Sequence, residues 1–557
     1  FSTTKGEGQT ELDQGLTFAR YGTGTYYALN GVDKAPDVRY FGAGSNVPVL
    51  NADGSGYRPV SRGASTIKTI DKENSFAFDA DYTIGQGIFT TLNAGARFAD
   101  HTRLLKRWAP TFGASTVGAI PADGYQQYPG NFGNQLGGSF DNTGFYLTPE
   151  GLRAYISSQF KATTPEFERR VAGEIDMRER QTAAYVMQNL EGEKWSGNIG
   201  LRFVQTHINA QIATPISTAI CPKIAPGATV VPCATVPGAI NTAGDGSTFY
   251  DGIAFNPLQG AVYYKTPTDR KFNDVLPSLN LRFELMPKLI GRFALSKTIG
   301  RQNYNVLGAG FGTPSCAGGS CTVTGPNPDL KPLYAKNVDA SLAWYFAPRS
   351  IASVNVFSSR IDGYVKTGAI KQNVTVDLVD PVDSVVKPFF INTSSQQSAK
   401  IDGIELSYEQ PIGAGFGVQS NFSRAKTKVE DGRPLVGASE YSANLGGYFE
   451  NDAFSARLVY NYRGKYVSST TAPAPTSNSQ GNTVINGVIM PVALTWAAPV
   501  SNVAFSMNYN ITKDLRVSFD ATNLTNPARA QYRYSEQEQQ KLDVSGRQYY
   551  LTVRYQF

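Results

Sequence analysis

The feature of the sequence that most constrains its fold is a unit of about ten residues in which apolar and polar side chains alternate. In WSGNIGLRF, residues 195–203, the odd positions are apolar or glycine and the even positions are polar or glycine. The same pattern occurs in PSLNLRFEL (277–285), NVDASLAWYF (337–346), VAFSMNYNI (503–511) and LRVSFDA (515–521). A period of two residues is typical of a strand with one apolar face, so the chain is predicted to be all-β.

The links between these units alternate between short and long. The short links are 85–87, 191–193, 287, 347–348, 413–415, 451–452 and 512–513. The long ones, rich in Gly, Ser, Pro and Asn, are roughly 23–72, 100–179, 210–272, 299–335, 364–399, 464–500 and 525–546, with a shorter one near 428–439. Tight turns at one end and long loops at the other are typical of bacterial outer-membrane barrels. We therefore predict a transmembrane antiparallel up-and-down β-barrel with about 16 visible strands, the weakest at 12–21.

Alternation also predicts which side chains face lipid and which face the lumen, because the apolar face of such a barrel meets the membrane. The residues predicted to face lipid are Ile199, Leu201, Phe203, Leu279, Leu281, Leu342, Trp344, Phe505, Leu551 and Val553. The residues predicted to face the lumen are Arg97, Arg202, Arg282, Arg292, Asp339, Arg457, Arg516, Asp520 and Arg554.

The chain ends with GRQYYLTVRYQF, residues 546–557, in which the alternation continues to the last residue. We expect this strand to run to the final carboxylate on the short-turn side of the membrane. Its aromatic and apolar positions resemble the C-terminal signature that the barrel assembly machinery reads; they are Tyr549, Leu551, Val553, Tyr555 and Phe557. The alternative is a strand that simply stops there.

Composition excludes several other classes of protein. Charged residues are 17% of the chain, below the roughly 25% of soluble domains, and the net charge of +6 is scattered, which argues against a nucleic-acid partner. The sequence contains no run of 18 consecutive apolar residues, so no transmembrane helix is predicted.

The four cysteines form two local pairs in Gly/Pro-rich loops, Cys221 with Cys233 and Cys316 with Cys321. We interpret them as two disulfides on the extracellular side, in an oxidising compartment. The rival interpretation is a zinc site with four thiolates, although the spacing is not that of a zinc knuckle and no histidine is nearby.

No motif indicates catalysis, a metal or a cofactor. The two histidines are His101, placed by the pattern where a strand meets a loop, and His207, placed at a strand end. Neither belongs to a recognisable triad or to a metal-binding spacing. We therefore expect no enzymatic activity and no cofactor.

Several stretches resemble the TonB-dependent receptors, especially the large branch of Caulobacter- and Xanthomonas-like proteobacteria. They are LEGEKWSGNIGLRFVQT (190–206), FNDVLPSLNLRFEL (272–285), RFALSKTIGRQNY (292–304), NPDLKPLYAKNVDASLAWYF (327–346), IDGIELSYEQP (401–411) and SFDATNLTNPARAQY (518–532). NPDLKP and NLTNP are the most specific of these. Family members also carry an N-terminal plug, a TonB box and a 22-stranded barrel. Since neither plug nor TonB box is visible, we expect residues 1–557 to be the C-terminal barrel portion of a longer receptor.

The resemblance implies active import of a scarce, bulky nutrient across the outer membrane of a Gram-negative bacterium. Its partners would be TonB, reached through the plug and energised by ExbB and ExbD, the barrel assembly machinery, outer-membrane lipid and a small-molecule or oligomeric ligand. A siderophore, a glycan fragment, a cobalamin-like compound and a peptide all stay open as ligands. Loop aromatics that would suit ligand stacking are Tyr125, Tyr128, Tyr263, Tyr264 and Tyr304.

The main alternative is a passive porin, since 16 strands is also a porin number. A soluble lectin-like sandwich would leave the one-sided charges and the sorted loops unexplained.

Overall fold

A computed structural model describes most of the chain. The described residues are 1–10, 13–20, 23–42, 57–110, 112, 125–127, 129, 134–138, 145–161, 170, 173–217, 240–242, 248–250, 253–254, 261–312, 315–317, 320–379, 386–470, 484–485, 488–489, 494–533 and 535–557.

Strands account for nearly all of the regular structure. In chain order they are β1 Ser2–Gln9, β2 Asp13–Arg20, β3 Thr23–Ala28, β4 Asp37–Gly42, β5 Tyr57–Gln86, β6 Phe89–Trp108, β7 Tyr125–Gln127, β8 Phe145–Leu147, β9 Ile175–Glu191, β10 Trp195–Ser217, β11 Ile240–Thr242, β12 Thr248–Tyr250, β13 Ile253–Ala254, β14 Ala261–Met286, β15 Leu289–Gly300, β16 Ser315–Ala317, β17 Ser320–Thr324, β18 Leu333–Ala347, β19 Ser350–Val379, β20 Val386–Gly413, β21 Phe416–Val429, β22 Tyr441–Glu450, β23 Phe454–Arg463, β24 Tyr466–Thr470, β25 Val484–Ile485, β26 Val488–Ile489, β27 Leu494–Ala497, β28 Val500–Asn510, β29 Leu515–Thr522, β30 Arg529–Arg533, β31 Gln539–Asp543 and β32 Gln548–Tyr555. The helices are α1 Pro149–Ser158, α2 Tyr304–Gly308 and a 3₁₀ turn at Asn134–Leu136.

One sheet of 19 strands dominates the molecule, and we call its sequentially paired part the wall. β16 and β17 branch from it, and β1 and β2 both pair with β5 and so share one position, which leaves 16 positions in the wall. Successive wall strands are antiparallel neighbours from β5 through β6, β9, β10, β14, β15 and β18 to β32. The predicted up-and-down topology and the predicted number of about 16 strands are both confirmed.

Short turns join the wall strands at one end, which we call the short-turn end, and four of them have two residues. Met286 pairs with Leu289 across Pro287 and Lys288, and Lys288 has a φ of 71°. At the turn between β20 and β21, Ala414 and Gly415 both have positive φ, 49° and 83°. Two consecutive left-handed residues match the twist of a hairpin, so these strands can reverse without extra chain.

At the opposite end, the long-loop end, the wall strands extend well beyond the predicted strand limits. β5, β14, β19 and β20 continue into stretches that alternation predicted to be the loops 23–72, 210–272 and 364–399. Those loop limits were wrong. A strand alternates apolar and polar residues only where its two faces meet different solvents, so a hydrogen-bonded extension above the apolar region carries no such pattern.

Three smaller expectations are also corrected. His101 and His207 lie inside β6 and β10, not at strand ends. The last strand ends at Tyr555, two residues before the carboxylate, although Gln556 N–H still donates to the carbonyl of Asp514 at 2.9 Å. The loop segments form sheets of their own, including a four-stranded one of β24, β27, β30 and β31.

The ladder register divides the wall into a polar face and an apolar face. Directly opposite residues in an antiparallel sheet point to the same side. Following the register from strand to strand, the nine residues predicted to face the lumen share one face, the polar face. The ten residues predicted to face lipid share the other, the apolar face, together with Tyr549 and Tyr555.

Among the residues described, no helix is both long and apolar enough to cross a membrane.

Candidate functional site at the mouth of the barrel

The long-loop end of the polar face, which we call the mouth, is covered in part by the segment 301–332 between β15 and β18, of which residues 301–312, 315–317 and 320–332 are described. Within it, α2 begins after Asn303, whose side chain accepts a hydrogen bond from the Asn305 N–H at 2.9 Å. Leu307 of α2 is buried against the wall. A Cβ on Gly308 would lie 2.5 Å from the Met177 Cε, so glycine permits this close approach.

The contact between this segment and the wall is a hydrophobic cluster, which we call the mouth cluster. It consists of Ile175, Met177, Ile208, Ala210, Ile212, Leu307, Phe311, Val323, Leu330 and Ile391. The wall residues from β9 and β10 in this list belong to the polar face, because Ala210 pairs with Met177 and both share the side of Arg202. The polar face therefore becomes apolar where the segment covers it.

Below the mouth cluster, ionisable side chains surround Tyr304. The Tyr304 hydroxyl lies 2.8 Å from the Nδ1 of His101 and donates to Glu179 Oε2 at 3.4 Å. The two rings stack with centroids 5.6 Å apart. The other nitrogen of His101 lies 3.1 Å from Asp71 Oδ1, and Asp71 also pairs with Arg103 at 3.5 Å. Burial, and after it the negative charge of Glu179, raises the pKa of the Tyr304 hydroxyl well above its usual range.

A second arginine completes the network, at the start of the segment. Arg301 hydrogen-bonds Thr206 and lies 3.6 Å from Glu179 and 3.8 Å from Asp274. Asp274 also accepts a hydrogen bond from the Tyr334 hydroxyl at 2.8 Å. The Nε and Nη1 of Arg301 and the Oδ2 of Asp274 are buried without a hydrogen-bond partner among the described residues. These atoms make only the long ion pairs at 3.6 Å and 3.8 Å, so a polar ligand or water that hydrogen-bonds them would be stabilised there.

Two motifs noted in the sequence hold these loops in place. In NPDLKP, Asn327 N–H donates to the carbonyl of Val306, and its side chain donates to the carbonyl of Ser394 at 3.0 Å. In NLTNP, Asn523 and Asn526 have left-handed backbones, with φ of 57° and 46°. Their side chains bond both backbone groups of Gly546 and so fix the entry to the last strand. Both motifs therefore stabilise the conformation of the loops through hydrogen bonds.

The predicted site residues are only partly brought together. Tyr304 lies in the network, while the side chains of Tyr125, Tyr263 and Tyr264, and all of Tyr128, lie outside the described residues. Sequence reasoning missed Asp71, Arg103, Glu179, Asp274 and Arg301. The alternation could have found four of them, because these wall residues occupy every second position on the polar face, continued above the apolar stretch of each strand.

The cysteine pairs fall in two different situations. Cys221 and Cys233 lie outside the described residues. Cys321 is disulfide-bonded, and Cys316 stands directly opposite it in the hairpin of β16 and β17. The described residues hold no cluster of His, Cys, Asp and Glu that could bind a metal ion.

An antiparallel wall with tight turns at one end, one apolar face and one polar face is the architecture of an outer-membrane β-barrel. The chain belongs to the family described as TonB dependent receptor-like, beta-barrel, whose model matches residues 4–524. The proteins of this family are transporters and receptors of the outer membrane. The sequence matches none of the curated proteins.

Solved structures with a similar fold include the ferric-catecholate import receptor Fiu of E. coli K12 in its closed form. It is 15% identical, the match covers 94% of this chain and 60% of that chain, and the TM-score is 0.51. The unliganded ferric citrate transporter FecA is 9% identical, the match covers 90% of this chain and 57% of that chain, and the TM-score is 0.49. The ferripyoverdine receptor of Pseudomonas aeruginosa is 10% identical, the match covers 93% of this chain and 52% of that chain, and the TM-score is 0.48. The chain thus spans little more than half the length of these receptors, and at this identity the likeness to Fiu shows the fold alone.

Proposed function

We propose that the protein is a TonB-dependent transporter that imports a scarce, bulky nutrient, such as a siderophore or a glycan fragment, through the mouth. The observation that carries this proposal is the family match over residues 4–524. The polar network around Tyr304 and Arg301 supports it, because such a mouth offers charged and hydrogen-bonding groups to a polar ligand.

The test of transport uses the full-length protein in its own outer membrane. Cells with and without TonB receive radiolabelled ferric siderophores or fluorescent oligosaccharides as probes, and accumulation is measured. We expect uptake that requires both this protein and TonB and that stops when the proton gradient is collapsed. Equal uptake without TonB, together with an open conductance in planar bilayers, would support the porin alternative.

We further propose that the polar face contacts an additional folded domain of the same protein. Arg282 lies directly opposite Arg292, and Arg516 directly opposite Arg554, all four exposed. None of the four forms an ion pair with a residue that the structure describes. Like charges directly opposite each other repel, so carboxylates from a plug filling the lumen would stabilise both pairs.

A photo-crosslinker placed at Arg292 tests this contact, and the same crosslinker at Leu342, on the apolar face of the adjacent strand, is the control. We expect position 292 to yield an intramolecular protein crosslink in the full-length protein and position 342 to yield lipid adducts. Lipid adducts at position 292 would show that the faces are reversed.

We also propose that the barrel assembly machinery recognises the last strand. Tyr549, Leu551, Val553, Tyr555 and Phe557 are all more than half exposed. Deleting Phe557 should lower the amount of folded protein that reaches the outer membrane without changing the stability of the molecules that fold. A matched deletion within the exposed turn 536–538 should leave the folded amount unchanged.

A further inference from the structure

The apolar face carries a groove that crosses β9, β10, β14, β15 and β18. Its volume is about 750 Å³, and its lining includes Ile199, Leu201, Pro277, Leu279, Leu295 and Val338. The ladder between β14 and β15 ends at Ser278 opposite Ser296, next to Pro277, which has no backbone N–H to donate. The groove therefore lies where two wall strands cease to pair.

Two lysines lie at the long-loop end of this groove. Lys297 and Lys336 both line it and are direct partners across the ladder of β15 and β18, on the apolar face. Neither forms an ion pair with a residue that the structure describes. The Nζ of Lys297 lies 5.1 Å from the centre of the Tyr334 ring, and the Tyr334 hydroxyl is held by Asp274, so this lysine is held in position. Like charges directly opposite each other destabilise a sheet, so the two lysines lower the stability of the wall unless an anion binds between them.

Several other cations of the apolar face have carboxylate partners. Arg178 pairs with Asp100 at 2.5 Å, and His207 lies 2.7 Å from Asp269. Arg360 and Lys400 share Asp402, at 2.8 Å and 2.6 Å. The lysine pair has no such partner among the described residues, and it lies above an apolar groove.

The level of the pair matches the boundary of the membrane. Lys297 follows the first residue of β15, Leu289, by eight positions. At about 3.3 Å per residue and a tilt of about 40°, this places it about 20 Å from the short-turn end of the strand. The apolar band of such barrels is about 25 Å tall. The ammonium groups therefore lie near the headgroups of the leaflet on the long-loop side.

We propose that this groove and the lysine pair form a specific site for a phosphate-bearing lipid of the outer leaflet. The acyl chains lie along the apolar lining, and a phosphate lies between the ammonium groups of Lys297 and Lys336. Lysine binds phosphate as a point charge, and two lysines facing one anion replace repulsion with two attractive contacts. This site lies on the opposite face of the wall from the mouth, although Tyr334 and Asp274 link the two, and the proposal does not rest on the transport function.

The test uses the full-length protein in neutral detergent, with native mass spectrometry to count bound lipid. The probes are bisphosphorylated lipid A and the same lipid after removal of its phosphates. The variant is Lys297→Gln with Lys336→Gln. The control is Lys400→Gln with Lys426→Gln, which also removes two positive charges from the apolar face, here beside Asp402.

We expect the lysine-pair variant to lose about tenfold or more in affinity for the phosphorylated lipid, since two charge-assisted contacts are removed. The control should bind like the wild type, and the dephosphorylated lipid should bind both proteins equally weakly. Equal binding of the two lipids to the wild type, or unchanged binding by the variant, would overturn the proposal. Displacement of the lipid by millimolar inorganic phosphate would identify a free-anion site and overturn it as well.

A second measurement guards against a variant that simply misfolds. Without lipid, Lys336→Gln alone relieves the repulsion, so its midpoint of thermal unfolding should rise, while added phosphorylated lipid should raise the midpoint less than in the wild type. A lower midpoint in neutral detergent, with an undiminished lipid effect, would contradict the role given to the pair.

Discussion

The two halves of β10 place their apolar side chains on opposite faces of the same sheet. Towards the short turn, Ile199 and Phe203 of the apolar face are about half exposed. Towards the mouth, Ile208 and Ile212 of the polar face are almost fully buried, while Gln211 of the apolar face is exposed. The backbone is continuous and the register with β9 does not slip. The change of face follows from the surroundings, because lipid replaces water around the lower half and the segment 301–332 covers the upper half from within.

The largest expected effect comes from a charge on the apolar face of the lower half. Ile199→Arg should destabilise the folded protein in bilayers by about 2–4 kcal/mol, because the charge meets hydrocarbon. The control, Gln211→Arg, puts the same side chain on the same face of the same strand near the mouth, and it should change the free energy of unfolding by no more than about 0.5 kcal/mol. Unfolding in lipid vesicles measures both. Equal costs would mean that the two halves share one environment.

The next effect concerns the mouth cluster. Leu307→Ala should cost about 2–3 kcal/mol, because it leaves a cavity between α2 and the wall. Hydrogen exchange should show faster exchange in α2 and in the upper halves of β9 and β10, with the lower halves unchanged. Val436→Ala, at an exposed loop position, is the control and should have little effect. Faster exchange along the whole of β10 would show that its halves unfold together.

The hairpin of β16 and β17 should depend on its disulfide, which we propose joins Cys316 to Cys321. Cys321→Ser should cost about 2 kcal/mol, the chain entropy of closing a six-residue loop. Mass spectrometry should show that both cysteines are alkylated after reduction and that neither is alkylated when reductant is omitted. Alkylation of Cys316 in the unreduced wild type would exclude the pairing.

The smallest effect comes from the hydroxyl of Tyr304. Tyr304→Phe should cost about 1–2 kcal/mol at neutral pH, because His101 and Glu179 lose a buried partner. Tyr509→Phe, on the apolar face, is the control.

The same variant gives a pH dependence with a definite sign. Because the pKa of Tyr304 is raised in the folded protein, the unfolded chain releases this proton first as pH rises above about 10. The wild type should then lose stability at up to about 1.4 kcal/mol per pH unit relative to Tyr304→Phe, whereas below pH 9 the difference in stability between the two proteins should not change with pH. A difference between the two proteins that grows as pH falls below 9 would contradict this assignment to Tyr304.

The alternation in the sequence predicted the fold class, the antiparallel order, the short turns and the grouping of nine charged residues on one face. It could do so because lipid acts on every strand of the lower wall in the same way, so one local rule applies at each position. Trp195 to Phe203 carry this rule in nine residues.

Only the tertiary structure decided the upper part. Asp71, Glu179, Asp274 and Arg301 are far apart in the sequence and meet because the segment 301–332 folds back onto the wall. Neither the extended strands nor the pairing of Lys297 with Lys336 has a local signal, because above the apolar band both faces contact polar groups. There the environment of each residue depends on which distant segment covers it, and a period of two residues holds no information about that.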